Sequence, residues 1–475
     1  MTTINYNRWK WAVFILCCLG LLKGFRPSAR SLLDYGVDHC NFSVDQMIHE
    51  VIPAICPALI YSLVILIIVT DALNYKPVIV FGSICSIVTW TVTIWFYDGV
   101  QLARIRQWIH GISVASTEVA YFTYMYSITD KSDYKRVTAY CHSAVSLGQF
   151  LSGISNQLLL TSYKILDLPQ LNYLSLVASY GTLFFAILLP KVWDVSDVEH
   201  ADGEVYAIPQ GINQGINHGG GMDEINAKNC QERDSNSNLA EKSLLQKLRQ
   251  VPKQCRQNFL HAYSHTKIIK WSLWYATAFG LFVQVDTYVP SSLWRLISSE
   301  TGQKKWNGAV HAAQALLSVV LGLFLASVGN KVNWKKWGSL ILAGGTLIQS
   351  GALFFMAATQ DLYAAYGCFV LFTAVFQVLA ILAKSMVAEF IRERSEGFIL
   401  GLNGLAACII YAALTLVISS RFGLRLGIRD QILFLSGYAL VLGVGLFLSG
   451  VGYRKRDDRT GLTRGQINES HAAST

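Results

Sequence analysis

Long hydrophobic stretches alternate with short polar segments along almost the whole chain. Twelve of these stretches approach the roughly 20 apolar residues that a helix needs to cross the hydrocarbon core of a bilayer. Six lie before a long polar middle segment and six lie after it. The predicted helices cover about residues 9–27, 51–70, 77–97, 102–128, 137–161, 172–190, 268–290, 308–329, 337–357, 361–385, 396–419 and 430–452. Stretches this numerous and long are not typical of buried helices in a soluble protein.

The polar middle segment divides the chain into two halves. It includes the glycine-rich run Gly211–Gly221, which favours a solvated connector, and a candidate amphipathic helix at Leu239–Leu248. We predict four parts: an N-terminal six-helix bundle over 1–190, a cytosolic linker over 191–265, a C-terminal six-helix bundle over 266–452 and a cytosolic tail over 453–475.

Six plus six helices around a long polar segment is the arrangement of major facilitator superfamily transporters. In that fold the substrate binds between the halves near the middle of the membrane. We therefore predict an all-α membrane protein of this superfamily, with 12 transmembrane helices in two six-helix halves. The arrangement alone identifies no substrate.

Composition and charge agree with a membrane protein. Charged residues make up 15% of the chain, against about 25% in soluble domains. The net charge of +9 comes from basic residues in the loops, so it indicates orientation and not nucleic-acid binding. Their excess on the side of the termini predicts that both termini are cytosolic. The glycosylation sequon at Asn41 then lies outside, whereas the one at Asn468 lies in the cytosolic tail.

Motifs of catalysis are missing from the sequence. It contains no HExxH, no Walker loop, no GxSxG and no clustered His/Cys ligand set. We therefore expect neither an enzyme nor a bound cofactor or metal.

Several short motifs are more specific than the arrangement of helices. They are Arg26-Pro27-Ser28, Thr70-Asp71, Tyr75-Lys76-Pro77-Val78-Ile79, Glu118-Val119-Ala120-Tyr121, Tyr134-Lys135-Arg136-Val137, Trp271-Ser272-Leu273-Trp274 and Asn307-Gly308-Ala309-Val310. With these motifs in order over residues 9–452, the chain resembles the folate and thiamine transporter family (solute carrier family 19, the reduced folate carrier family), and most of all its thiamine transporters. The resemblance implies a plasma-membrane vitamin carrier that works by alternating access.

Glu118 decides the substrate that we predict. The resemblance implies an acid at this position in thiamine carriers and an arginine in the folate carrier. Thiamine carries a thiazolium cation and folates are dianions, and a charge in a low-dielectric cavity favours its opposite. We therefore predict a thiamine carrier. Asp286 is a candidate second acid of its cavity and, equally, a candidate cap of the helix break made by Pro290. A folate or organic-anion carrier of the same fold, and a transport-dead receptor or scaffold, are the alternatives.

Other family positions are altered. Thiamine carriers place acids where this chain has Ala29 and His311, and an acid and a tyrosine where it has residues 106–110. Gln149 stands near the position of a binding tyrosine, and Thr287 near that of a binding asparagine. These changes keep the alternatives open.

The remaining candidates complete the predicted site. Gln149, Gln284 and Thr287 are expected to hydrogen-bond the substrate, Trp108 to stack on it, and His311 to relay protons or to be a buried hydrogen-bonded histidine. Three other tryptophans, at positions 271, 274 and 294, are candidates for the same stacking, but their positions near span ends favour an interfacial belt.

Two further charged residues have alternative interpretations. Lys384 is interpreted as snorkelling to the cytosolic surface; if it faces the cavity instead, it favours an anion. His142 is a candidate partner of Glu118.

Four charged residues occupy the predicted cytosolic turns: Asp71, Lys76, Lys135 and Arg136. They are candidates for a network that holds one face of the carrier closed, with simple positive-inside anchoring as the alternative. The predicted partners are a small-molecule vitamin, the lipid bilayer and, if transport is not merely facilitative, a coupling proton. The sequence predicts no oligomeric state.

Overall fold

The computed structural model describes residues 2–190 and 257–449, with gaps at 44–45, 71–72, 74, 98, 130–132, 164, 258, 261–262, 265, 329–333, 391–395, 419–423 and 425. Within these residues the chain forms twelve long helices and no β-strand. They are α1 (Thr2–Gly24), α2 (Ile55–Val69), α3 (Lys76–Trp95), α4 (Val100–Ser127), α5 (Tyr134–Ser155), α6 (Leu168–Leu188), α7 (Thr266–Tyr288), α8 (Asn307–Val328), α9 (Trp334–Ala358), α10 (Leu362–Phe390), α11 (Glu396–Ile418) and α12 (Ile428–Ser449). The predicted linker and tail lie almost entirely outside the described residues.

Eight of these helices are long and apolar enough to cross a bilayer on composition alone. They are α3, α6 and α7 to α12, with mean hydropathy between 1.2 and 2.2. The helix α2 has only 15 residues because π-helical and 3₁₀ turns around Pro53 precede it. The helix α4 is more polar, because it carries Arg104, Arg106, His110 and Glu118. Ionisable residues inside a span are costly, so α4 is a candidate for the functional helix.

The predicted fold class is confirmed, and each predicted stretch overlaps one helix. The boundaries differ by a few residues. The largest differences are at α1, which begins already at Thr2, and at α5, which ends at Ser155 and continues as the π-helical segment Asn156–Ser162.

Small residues allow the two halves to approach closely. On α5, a Cβ added to Gly153 would lie 2.8 Å from the backbone nitrogen of Ala312 on α8. On α11, a Cβ at Gly401 would lie 2.6 Å from Cγ1 of Ile67 on α2. The glycines therefore act as packing residues at the crossings between the halves.

The tryptophans predicted to form an interfacial belt lie inside the protein. Trp271, Trp274 and Trp294 are 7%, 1% and 0% exposed. The indole nitrogen of Trp274 donates to the hydroxyl of Thr346 over 3.0 Å, and Trp294 packs edge-to-face on Tyr366 with the ring centroids 4.7 Å apart. The belt interpretation is wrong, because position near a span end does not decide which face of a helix is covered by its neighbours.

The predicted network of charges at the turns is described only in part. Asp71 and the side chain of Lys135 lie outside the described residues. The ammonium of Lys76 donates to the backbone carbonyl of Ile187 at the end of α6, over 2.8 Å. Arg136 donates to a tyrosine hydroxyl one helical turn further along α5, over 3.0 Å. A network that closes this face stays a prediction.

Candidate substrate site

A cavity of about 410 Å³ lies between the two halves. Its wall comes from Ala29 and Leu32 in the segment after α1 and from the helices α2 and α4 of the first half, and from α7, α10 and α11 of the second. Small-molecule sites commonly have volumes of about 300–1,000 Å³ with a few polar groups in a mainly apolar wall. The polar lining residues are Arg106, Gln107, His110, Glu118, Tyr275, Asp286, Thr287, Lys384 and Tyr411.

Glu118 on α4 is held by two lysines. The ammonium of Lys384, on α10, donates to Oε1 over 2.6 Å, and the ammonium of Lys23, on α1, lies 3.8 Å from Oε2. The side chains of the two lysines are 8% and 16% exposed, whereas that of Glu118 is 33% exposed. Because Glu118 lines the cavity, this exposed third is available to a substrate.

The three groups together carry a net positive charge, because two ammonium groups face one carboxylate. The snorkelling interpretation of Lys384 is therefore wrong. The helix α10 extends to Phe390, so Lys384 lies deeper than the predicted helix end implied, and its side chain binds Glu118 across the cavity.

His142 is close to this group without being the partner of Glu118. Its ring stacks on Phe122 with the centroids 4.6 Å apart, and its Nε2 has no hydrogen-bond partner among the residues that the structure describes. The ammonium of Lys384 lies over the same Phe122 ring, 4.2 Å from its centroid. Phe122 therefore contacts both the imidazole and the ammonium of the ion pair.

The helix α7 contributes two of the predicted residues to the cavity. Asp286 and Thr287 line it, as does the ring of Tyr275 three turns earlier on the helix. Gln284 lies on another face, buried, and accepts a hydrogen bond from the hydroxyl of Thr415 on α11 over 2.9 Å. The structure thus brings Glu118, Asp286 and Thr287 to one cavity and leaves Gln284 in a contact between helices.

Three other predicted residues do not line the cavity. Trp108 is 40% exposed and stacks on Tyr61, with the ring centroids 6.1 Å apart. His311 is buried beside Trp294, with the ring centroids 5.6 Å apart. Gln149 lies half-buried on α5. Roles for them in substrate binding stay predictions.

Two cations of the site had no role in the sequence-based prediction. Lys23 lies in the last turn of α1, after a long apolar run. A lysine inside a predicted span is a signal that the hydropathy pattern supplies. Arg106 figured only as part of an altered family segment. It lies in the cavity wall, 2% exposed, where Nε donates to the hydroxyl of Thr93 over 3.0 Å and Nη1 to the amide oxygen of Gln107 over 2.8 Å.

The sequence matches the family model described as reduced folate carrier over residues 7–434. Thiamine transporter 2 of Macaca fascicularis is 29% identical over 453 residues, covering 93% of this chain and 90% of that protein. Folate transporter 1 of Caenorhabditis elegans is also 29% identical, over 442 residues, covering 92% of each chain. Relatives named for both vitamins are therefore equally similar to this protein.

A solved structure has the same fold at much lower identity. The proton:xylose symporter XylE of the major facilitator superfamily superposes with a TM-score of 0.63 at 11% identity, covering 93% of this chain and 96% of the symporter. At that identity the likeness concerns the fold alone. With its match to the family model over nearly the whole length, the chain belongs to the reduced folate carrier family, solute carrier family 19, a family of vitamin transporters built on the major facilitator fold.

Proposed function

We propose that this protein carries a vitamin with carboxylate groups, of the folate class, across the membrane. The observation that supports the proposal is the pairing of Glu118 with both Lys384 and Lys23. Glu118 was the residue that favoured a cation. With two ammonium groups on it, the same group of side chains is positive and favours an anion.

The size of this preference is large enough to select a substrate. Two unit charges about 6 Å apart interact by about 3 kcal/mol at an effective dielectric constant of about 20, which corresponds to roughly a hundredfold in affinity. The interaction energy with this positive group is negative, and so attractive, for a carboxylate. It is positive, and so repulsive, for the thiazolium cation. At Ala29, where the family resemblance implies an acid in thiamine carriers, the cavity wall has only a methyl group. That change acts in the same direction.

The mechanism that we propose is alternating access. The cavity lies between the halves, with Glu118 on the first half and Lys384 on the second, so movement of one half against the other acts directly on the site. Transport is facilitative or coupled to protons, and His142, beside the ion pair, is our candidate for a coupling proton. The proposal places the carrier in the plasma membrane with both termini in the cytosol, supported by the basic residues of the loops on that side.

Thiamine is the second candidate. Glu118 and Asp286 both line the cavity, and thiamine transporters are among the relatives. A thiazolium ring would have to compete with Lys384 for the Glu118 carboxylate.

Side-by-side uptake separates the candidates. Cells that express the protein, with surface levels measured, take up labelled folate and labelled thiamine at two external pH values. We expect folate uptake above vector controls, and a change with pH if a proton is coupled. At surface levels equal to those of the wild type, Glu118→Arg should preserve folate transport, because it removes the one carboxylate that the described part of the chain places on the two lysines. Uptake of thiamine alone, abolished by Glu118→Arg, would support the second candidate. Uptake of neither vitamin at normal surface levels would favour a receptor or scaffold.

A further inference from the structure

Arg106 is a buried cation without an acidic partner. Its side chain is 2% exposed, and no described carboxylate lies within ion-pair distance of its guanidinium. A second cation, Arg26, follows the end of α1, and its guanidinium donates to the hydroxyl of Ser86 over 3.5 Å. An uncompensated charge in a low-dielectric interior costs several kcal/mol. Such a group inside a membrane span points to a function.

The guanidinium is held in one orientation by its neighbours. Nε and Nη1 donate to Thr93 and Gln107, and the guanidinium carbon lies 5.3 Å from the ring centroid of Trp90. The third nitrogen, Nη2, forms no hydrogen bond to any residue that the structure describes. A fixed, already dehydrated guanidinium loses little solvation or side-chain freedom when an anion binds to it.

We propose that Arg106 binds a carboxylate of the transported substrate. The guanidinium is the protein group best matched to a carboxylate, because its planar donors and the two carboxylate oxygens have the same spacing. Arg106 lines the cavity together with Gln107 and His110, which provide further polar groups beside it. This inference rests on the proposed function, since it assigns the site that recognises the anionic group of the same substrate.

The position of Arg106 adds a second positive pole to the cavity. Arg106 and Glu118 are twelve residues apart on α4, which corresponds to about 18 Å along the helix axis. The group of Glu118 with Lys384 and Lys23 is therefore at one end of the site and Arg106 at the other. Of the two poles, Arg106 is the one on which the described part of the chain places no carboxylate, so the anionic end of an elongated substrate binds there.

A test of this assignment compares two substrates that differ only in charge. Folate has two glutamate carboxylates, and in its diamide both are replaced by neutral amides. We expect wild-type protein to take up folate about 10- to 100-fold faster than the diamide, as for hydrogen bonds that involve charged groups. Arg106→Gln should lower folate uptake by the same factor and leave diamide uptake within about twofold. Arg104→Gln is the matched control, because Arg104 is an exposed arginine of the same helix and should leave both rates unchanged.

The outcomes distinguish this inference from the function on which it rests. No folate uptake by the wild-type protein would overturn both. Folate uptake with an unchanged folate-to-diamide ratio in Arg106→Gln would overturn the inference alone. An equal fall for both substrates would also overturn it, because Arg106 would then act only in packing. If Arg106→Gln does not reach the cell surface, Arg106→Lys keeps the charge without the planar donors, and an unchanged ratio in that variant would count against the assignment.

Discussion

Replacing Lys384 with methionine removes one ammonium group from the cavity and keeps the length of the side chain. In the wild-type protein, Lys384 and Lys23 face the single carboxylate of Glu118, so the group has a charge of +1. In Lys384→Met, one lysine faces one carboxylate and the group becomes neutral. The attraction that we propose for an anionic substrate is then lost, and so is the repulsion of a cation.

The magnitude follows from the distances. At the distance of about 18 Å along α4 between this group and Arg106, where we place the carboxylates of the substrate, one unit charge contributes about 1 kcal/mol at an effective dielectric constant of about 20. We therefore expect folate uptake to fall about two- to fivefold. Inhibition of that uptake by thiamine should become stronger by a comparable factor. The variant also loses a hydrogen bond between charged groups, worth about 1.5–3 kcal/mol. This loss of stability is smaller than the loss on breaking a fully buried ion pair, because Glu118 keeps Lys23 as a partner and its side chain is one-third exposed.

The assay is labelled folate uptake with thiamine as competitor, corrected for surface level, together with thermal unfolding in detergent. Lys305→Met is the matched control, since Lys305 is exposed in a loop, and it should change neither measurement. Glu118→Gln changes the charge in the opposite direction and should preserve folate uptake while weakening thiamine competition further. The double variant of Glu118→Gln and Lys384→Met should recover part of the lost thermal stability. Unchanged folate uptake and thiamine competition in Lys384→Met, at normal surface level, would refute this electrostatic reasoning.

Three further predictions concern packing, pH and orientation. Gly153→Ala places a Cβ 2.8 Å from the backbone of α8, so we expect a loss of about 1–3 kcal/mol and a lower Tm; Gly344→Ala, with nothing within 4 Å of its Cβ, is the control and should be neutral or slightly stabilising. A glutamine amide and two backbone N–H groups donate to Asp361 in the loop before α10 and hold its pKa below the usual range. The stabilisation is therefore present above the unfolded-state pKa of about 3.9 and is lost as the pH falls below it; Asp361→Asn should flatten the decline of Tm between about pH 5 and pH 3, and an unchanged decline would contradict this cause. Asn41→Gln should remove a glycan, so enzymatic deglycosylation should increase the gel mobility of the wild type and not that of this variant. Asn468→Gln should leave the mobility shift of the wild type unchanged. The reverse result would mean that the termini face outward.

The helices could be predicted from the sequence because the bilayer makes hydropathy a direct signal. A stretch such as 361–385 is mainly apolar, and a helix satisfies its backbone hydrogen bonds in lipid within the segment itself. The packing role of Gly401 could be predicted for the same reason, since small residues mark close helix contacts in membranes. Both are local properties of the chain.

The pairing of Glu118 with Lys384 could not be predicted in this way. The two residues are 266 positions apart and belong to different halves. Hydropathy placed Lys384 near a helix end, where a lysine ordinarily reaches the surface. His142 was the nearer candidate partner in sequence, yet its ring stacks on Phe122 and Lys384 forms the ion pair. Which of several cations reaches a carboxylate depends on how helices of the two halves face each other, and no periodicity within one helix contains that information.

A resemblance to a family assigns roles one position at a time, whereas the charge of a cavity is a sum over all groups that reach it. Glu118 matches a family position and, taken alone, indicates a cationic substrate. Lys23 and Lys384 match no such position. Each still has as much influence on the local potential as Glu118 itself, because the ammonium of each lies within 4 Å of a carboxylate oxygen of Glu118. The substrate class of a distant family member therefore has to be inferred from the balance of charges around the cavity. Here the three cations Lys23, Lys384 and Arg106 exceed the two carboxylates Glu118 and Asp286 by one charge.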